Sequence, residues 1–259
     1  MTQQRSSWIP RRRIRIAIVI ALAFAIAGIA GSAWSAFALA LLVPALGAGG
    51  AAWVMLRITR QLAPNGGGWE RRIHDLVVAR LALPDDAKLS VLDIGCGDAG
   101  LLAALLERHP AVTATGVDFF GANWDYAQAA CEARLAQLGR KATFQRMDAA
   151  NLAFPDASFD AVVSVMCFHE VRAPQGAALS GPLLALSEAL RVLRPGGTFV
   201  LIDRFADAGD YDAAGLASVL GATAELRREP LVATLGVPWP LNAKRALGPA
   251  EVLSGRKPN

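Results

Sequence analysis

Apolar and polar positions follow three patterns along the 259-residue chain. From Ile16 to Leu56 there is no charged residue, a run of 41. From Trp69 the apolar positions Ile73, Leu76, Val77, Leu81 and Leu83 recur at helical spacing, with arginines on the other side. Beyond Pro84-Asp85-Asp86, short apolar runs that end in acids or glycines alternate with helical segments. Such alternation predicts an α/β fold, a parallel sheet covered by helices.

The uncharged run is too long for one spanning helix, which needs about 20 residues. It divides at Gly31-Ser32-Ala33-Trp34-Ser35, where small and polar residues cluster. The predicted spans are Ile14–Ala30 and Ala36–Leu56, a hairpin in the lipid bilayer over residues 14–56. Pro44, Gly47, Gly49 and Gly50 fall in the second span, where lipid-embedded helices tolerate them. Arg11, Arg12, Arg13 and Arg15 precede the hairpin, Arg57 and Arg60 follow it, and the turn carries no charge. Positive charge stays inside, so both ends are expected in the cytoplasm at the inner membrane, with Trp8 and Trp53 at the inner interface and Trp34 at the outer. A secretory signal peptide competes, with a loose cleavage site at 32–36. Against it, a second apolar stretch follows at once. The breaker cluster Ala63-Pro64-Asn65-Gly66-Gly67-Gly68 then separates a hairpin part (1–62) from a globular part (69–259).

Composition narrows the classes. Hydrophobic residues are 54% and charged residues 19%, against roughly 45–50% and about 25% in average soluble chains, which excludes a disordered chain. Residues 1–72 hold nine arginines and one acid, Glu70, whereas residues 73–259 hold 17 basic and 21 acidic residues. The net charge of +4 therefore belongs to one end, and no nucleic acid is expected as a partner. Cys96, Cys131 and Cys167 lie far apart, and the three histidines are His74, His109 and His169. Neither set has the spacing of a metal site, so no metal is expected. His74 reads as a surface or packing residue, Cys96 and Cys131 as small core residues.

The chemistry starts at Lys88–Ile94, a buried strand that runs into Gly95-Cys96-Gly97-Asp98-Ala99-Gly100 and an apolar helix, Leu101–Arg108. Strand, glycine turn and helix are the context that a nucleotide-binding loop requires, in which glycines let the backbone approach the ligand. A second strand, Ala111–Val117, ends in Asp118, 18 residues after Gly100. That spacing is close to the roughly 20 expected of an acid that holds a ribose hydroxyl. Further strands are predicted at Ala142–Met147 before Asp148, Phe159–Met166, and Thr198–Ile202 before Asp203, with 193–197 as a helix stop and turn. Glu225–Ala233 and Lys244–Leu253 complete the set. Gly95, Gly97 and Gly100 also fit the dinucleotide pattern, so an NAD(P)-dependent oxidoreductase stays open on spacing. Asp93 inside the strand end, Asp148 and Pro195-Gly196-Gly197 argue against it.

VLDIGCGDAG, TGVDFF, QRMDAANLAFPDASFDAVVS and LRPGGTFVLID, in that order, resemble the class I S-adenosylmethionine-dependent methyltransferases, most of all the small-molecule branch with the ubiquinone/menaquinone-type enzymes. The resemblance covers about residues 69–257. It implies a Rossmann-like seven-stranded sheet of order 3-2-1-4-5-7-6 with its last strand antiparallel. It implies S-adenosyl-L-methionine as cofactor, with Asp93, Gly95, Cys96 and Gly97 around its methionine part, Asp118 on the ribose and Phe119 on the adenine. Asp148 and Ala149 would meet the adenine edge, and Val165 would end the fourth strand beside the sulfonium. One departure stands out, Ala99 where such chains usually carry a third glycine.

On the acceptor side, Cys167-Phe168-His169-Glu170 follow the fourth strand, and His169 is the candidate general base. Asn123-Trp124-Asp125-Tyr126 is expected to open a helix, with Trp124 and Tyr126 either lining the adenine side or only packing. Arg204 is a candidate holder of an anionic acceptor, and 236–241 is an apolar loop over the substrate or against the membrane. The expected function is a membrane-anchored methyltransferase acting on a small, lipophilic acceptor. The alternative is a catalytically silent protein of the same fold, and oligomeric state is left open.

Overall fold

The computed structural model describes residues 8–84, 86, 88–121, 127–221 and 223–259. They divide into two units, one running to Glu70 and the other from Arg71 onward.

In the first unit, helix α1 (Arg11–Gly31) leads through a turn into a 3-10 segment, Ala36–Leu41, and helix α2 (Leu42–Leu62). The turn falls where the small residues cluster, and Ser35 caps the 3-10 segment by accepting from Phe37 N at 3.3 Å. A side chain at Gly28 would meet Ala38 O at 3.1 Å, and one at Gly31 would meet Ala38 Cβ at 2.8 Å. The glycines thus let the returning chain lie on α1. Both α1 and the stretch Ala36–Leu62 are long and apolar enough to cross a membrane, and only 11% of each is buried inside the protein. Val19, Leu22, Ile26, Val43 and Leu46 are exposed. The second span runs past the expected Leu56 because Arg57 and Arg60 continue the helix to the breaker cluster.

The second unit begins within helix α3 (Trp69–Leu81), which stops before Pro84. A seven-stranded sheet follows, built from β1 (Ser90–Ile94), β2 (Thr113–Asp118), β3 (Thr143–Arg146), β4 (Phe159–Val165), β5 (Leu193–Asp203), β6 (Ala224–Pro230) and β7 (Glu251–Arg256). Its order is β3-β2-β1-β4-β5-β7-β6, and β7 runs antiparallel to β5 and β6. Helices α4 (Gly100–Arg108), α5 (Gln128–Gln137), α6 (Gly181–Val192), α7 (Ala213–Leu220) and the short α8 (Leu231–Leu235) complete it.

The core strands are apolar on both faces, with Leu92, Ile94, Val162, Phe199 and Leu201 fully buried against Leu186, Ala189 and Val192 of α6. Most strand ends move by one or two residues from the sequence reading, and two boundaries move further. The expected turn at 193–197 lies inside β5, which pairs with β4 from Leu193 through a register shift, with Gly196 at φ +72°. Lys257 fixes this stretch, since its ammonium donates to the carbonyls of Leu190, Arg191 and Leu193 at 2.7–3.2 Å. The other is the last pair of strands, shorter than expected because α8 and a run of turns take residues 231–250.

Strand order reverses between β1 and β4. In such sheets the crevice at the carboxyl ends of those strands is where ligands bind.

Candidate active site

At the end of β1 the chain turns over the end of β2. Gly95 N and Cys96 N both donate to Val117 O, at 2.8 and 3.0 Å, and Gly97 N donates to Asp118 Oδ2 at 3.0 Å. Gly95 and Gly97 have φ of +76° and +55°, the left-handed region that glycine enters without a steric cost. A Cβ at Gly95 would lie 2.2 Å from Cys167 Sγ, so the loop and the chain leaving β4 are in contact. Cys96 points away, its sulfur 2.9 Å from where a Cβ of Gly116 would be. It can offer a ligand only its backbone. The Cys131 thiol donates to Gly97 O at 3.1 Å.

The departure at Ala99 has a local cause. Ala99 takes the left-handed conformation itself, φ +64°, at the start of α4. Glycine is needed one position on, because a Cβ at Gly100 would meet Arg134 Nη1 and His74 Cε1, each at 2.8 Å. Arg134 is held there by Asp98 at 2.9 Å. His74 is buried, and burial pushes its pKa down to about 3, assisted by Arg134 and Arg71. It is a packing residue, one of the two roles expected.

Asp93 and Asp118 are the two buried acids of the loop. Asp118 Oδ1 accepts from Phe120 N at 2.9 Å. Asp93 is 1% exposed, and its Oδ2 has no hydrogen-bond partner. Burial holds its carboxyl well above the usual range, and the Asp118 charge adds to this. A buried, unpartnered carboxylate oxygen beside a second carboxylate is complementary to a cation. The ammonium and sulfonium of S-adenosylmethionine fit that demand, and the glycine loop fits a closely approaching ligand. Asp93, Gly95, Gly97 and the Cys96 backbone would hold the methionine part.

The adenine side is brought together by one bond, Met147 N to Asp118 O at 3.0 Å. It places Asp148 and Ala149 next to Asp118 and Phe119. Asp148 is exposed and uses Oδ1 to accept from Ala150 N at 2.9 Å, while Ala149 is buried. Phe119 is 59% exposed, with the Arg146 guanidinium 5.0 Å from its ring centroid. Asn123, Trp124, Asp125 and Tyr126 lie outside the described residues.

At the end of β4, Val165 pairs with Ile202, and Met166 N donates to Ile202 O at 2.7 Å. The neighbouring strand ends thus deliver His169 and Asp203 to one place. His169 Nδ1 lies 2.8 Å from Asp203 Oδ1, and Nε2 lies 3.7 Å from Glu170. Burial works against the imidazolium, yet the Asp203 hydrogen bond and charge outweigh it, so the His169 pKa is raised. Burial and the nearby carboxylates hold the Cys167 thiol well up, so it stays protonated. Arg204 departs from expectation. Its guanidinium is drawn to Asp207, and its Nε lies 3.3 Å from Asp210. With its charge already compensated there, it is a poor holder of an anionic acceptor. In the loop expected to cover the site, Val237 and Leu241 are buried and Trp239 is exposed.

Sequence reasoning named His169 and Asp203 separately and missed that they pair. The signal was available, since each follows the end of adjacent parallel strands. An apolar hollow between α1 and α2, lined by Ala21, Leu22, Ala25, Leu42, Ala45 and Leu46, offers no polar group and so no chemistry.

Known proteins share this domain and this fold. Residues 92–201 match a family described as methyltransferase domain. A demethylmenaquinone methyltransferase of Thermus thermophilus is 33% identical over 135 residues, which are 52% of this chain and 53% of that protein. A fatty-acid O-methyltransferase of Mycolicibacterium smegmatis is 34% identical over 44% of this chain and 36% of that protein. The chain thus spans about half or less of the length of these relatives. Among solved structures, the [4+2]-cyclase SpnF covers 74% of this chain and 83% of its own, with TM-score 0.55 and 21% identity. Geranyl diphosphate C-methyltransferase from Streptomyces coelicolor covers 74% of this chain and 81% of its own, with TM-score 0.56 and 12% identity. These two show the fold alone. The matched methyltransferase domain, the strand order and the glycine loop with its two acids make residues 92–201 and the sheet around them similar to the class I S-adenosylmethionine-dependent methyltransferases.

Proposed function

We propose that the chain transfers a methyl group from S-adenosylmethionine to a small acceptor at the carboxyl ends of β1, β4 and β5. The observation that carries this reading is the orphaned Asp93 Oδ2, buried beside Asp118 under a glycine loop of left-handed backbone. The cofactor supplies an electrophilic methyl on a cationic sulfur. Asp93 and Asp118 favour that cation, the loop seats its amino-acid end, and Phe119 with Asp148 and Ala149 takes the adenine. Val165 and Cys167 wall the side nearest β4, and His169 acts at the acceptor. The left-handed conformation is kept at Ala99, so that substitution gives no reason to read the site as silent.

The acceptor is lipophilic in this reading, and residues 14–56 anchor the enzyme in the cytoplasmic membrane. The hairpin part, 1–62, is joined through 63–68 to a catalytic domain, 69–259. Support comes from two apolar helices whose side chains are largely unburied, from the arginines at both outer ends, and from relatives named for menaquinone and fatty-acid methylation.

Calorimetry tests the site. Purified chain is expected to bind S-adenosylmethionine and S-adenosylhomocysteine and not NADH. Asp118→Ala should weaken binding at least tenfold, since a hydrogen bond to a charged group contributes roughly 1.5–3 kcal/mol. Unchanged affinity in a folded variant would remove Asp118 from the ribose, and binding of NADH alone would overturn the methyltransferase reading.

A further inference from the structure

Asp203 is 1% exposed, and both its oxygens are engaged. Oδ2 accepts from Phe168 N at 2.7 Å, and Oδ1 accepts from Arg204 N at 2.7 Å with His169 Nδ1 at 2.8 Å. An ionised carboxylate only accepts, so Nδ1 must carry the hydrogen. In the neutral ring the lone pair is then on Nε2, whose charged neighbour among the described residues is Glu170 at 3.7 Å. A histidine that merely walls a pocket does not need a buried carboxylate to fix its tautomer.

We propose that Asp203 is a positioning residue that locks His169 with its proton on Nδ1, leaving Nε2 to deprotonate an acceptor hydroxyl, phenolic or enolic, as that oxygen is methylated. This rests on the methyltransferase reading of the same site. The acceptor O–H bond breaks and its proton goes to Nε2. The oxygen pair forms the new O–CH₃ bond, while the C–S bond breaks and its electrons stay on sulfur as a neutral thioether. The imidazolium then returns its proton to water on the side of Glu170, which is exposed. The charged and titratable groups around His169 are Asp203, Arg204, Asp210 and Tyr211 from the end of β5 and the segment after it, and Cys167 and Glu170 from its own turn. A carboxylate acceptor, already anionic, would need none of this.

The test uses the full chain in detergent micelles, labelled with ¹⁵N-histidine. Only three histidines are present, so His169→Gln assigns the signal. Expected is a protonated Nδ1 and a bare Nε2 at pH 8, with a pKa above that of free histidine. Asp203→Asn keeps only one acceptor, so Phe168 N or Arg204 N loses its partner whichever way the amide turns, and with the carboxylate charge gone the His169 pKa should fall. Wild-type His169 protonated on Nε2 overturns the proposal without any variant, and so does a His169 pKa unmoved in a folded Asp203→Asn chain. Turnover is read with phenol, catechol and 1-naphthol, and with decanoate as the acceptor that needs no base. Asp203→Asn should lower kcat on the hydroxyl probes by about 10²–10⁴-fold with KM for S-adenosylmethionine unchanged. Methylation of decanoate alone, or of no hydroxyl, overturns the acceptor class. Failure of wild-type chain to bind S-adenosylmethionine would instead overturn the methyltransferase reading beneath it.

Discussion

A single methyl group placed on Gly95 should measure how tightly the glycine loop is pressed against the chain leaving β4. In Gly95→Ala the new Cβ would sit 2.2 Å from Cys167 Sγ and 2.4 Å from Cys167 Cβ, at a φ of +76°. The left-handed conformation costs an alanine about 1–2 kcal/mol. Overpacking of a filled site costs about 1–3 kcal/mol more. The sum, about 2–5 kcal/mol, is a large fraction of a stability of about 5–15 kcal/mol. At about 2–4 °C per kcal/mol for a domain of this size, the midpoint should fall by roughly 4–20 °C. The contact itself is isolated by a second substitution. With Cys167→Gly the nearest remaining atom is the Cα of residue 167, at 3.7 Å, an ordinary contact. The double variant should therefore recover about 1–3 kcal/mol relative to the sum of the two single variants, leaving the conformational cost. Thermal unfolding of the four chains, at one protein and detergent concentration, reads the coupling. Additivity within about 0.5 kcal/mol would show that Gly95 and Cys167 do not touch, and the geometry of the loop would be wrong.

Two further outcomes concern pH and topology. His74 is neutral in the fold, with its pKa near 3, while the unfolded chain takes up a proton below about pH 6.5. Stability should thus be full above pH 6.5 and fall by roughly 1.4 kcal/mol per pH unit below it, toward pH 3. Denaturation midpoints between pH 6.5 and 4 should fall less steeply in His74→Gln, and equal slopes would refute a buried neutral imidazole. Reporter fusions after residues 33 and 62 should report opposite sides of the membrane, and an exported reporter at 62 would refute the hairpin.

The sheet was legible because its central strands are apolar on both faces and β1, β2 and β5 each meet a glycine or an acid at the carboxyl end. Asp93, Gly95, Gly97, Asp118 and Asp148 could be singled out as candidates because a ligand-binding loop restricts backbone and charge together. What escaped was whatever depends on a tertiary partner. Nothing local to Gly100 announces that Arg134 and His74 pack on it, and nothing local to Arg204 announces Asp207 and Asp210. The 193–197 stretch reads as a turn because Pro-Gly-Gly is turn chemistry, yet pairing with β4 and the Lys257 ammonium hold it as strand.

The order of the sheet also sets a timetable. β6 is made before β7 but bonds to no strand other than β7, and β7 is the strand that closes β5. From Asp203 to Arg256 the ribosome must add 53 residues, which takes about 3–11 s at about 5–20 residues per second. For that interval β5 offers an open edge to any neighbouring strand. A nascent chain anchored as proposed above would spend those seconds tethered away from its sister chains, and the hairpin would then double as a guard against aggregation at birth.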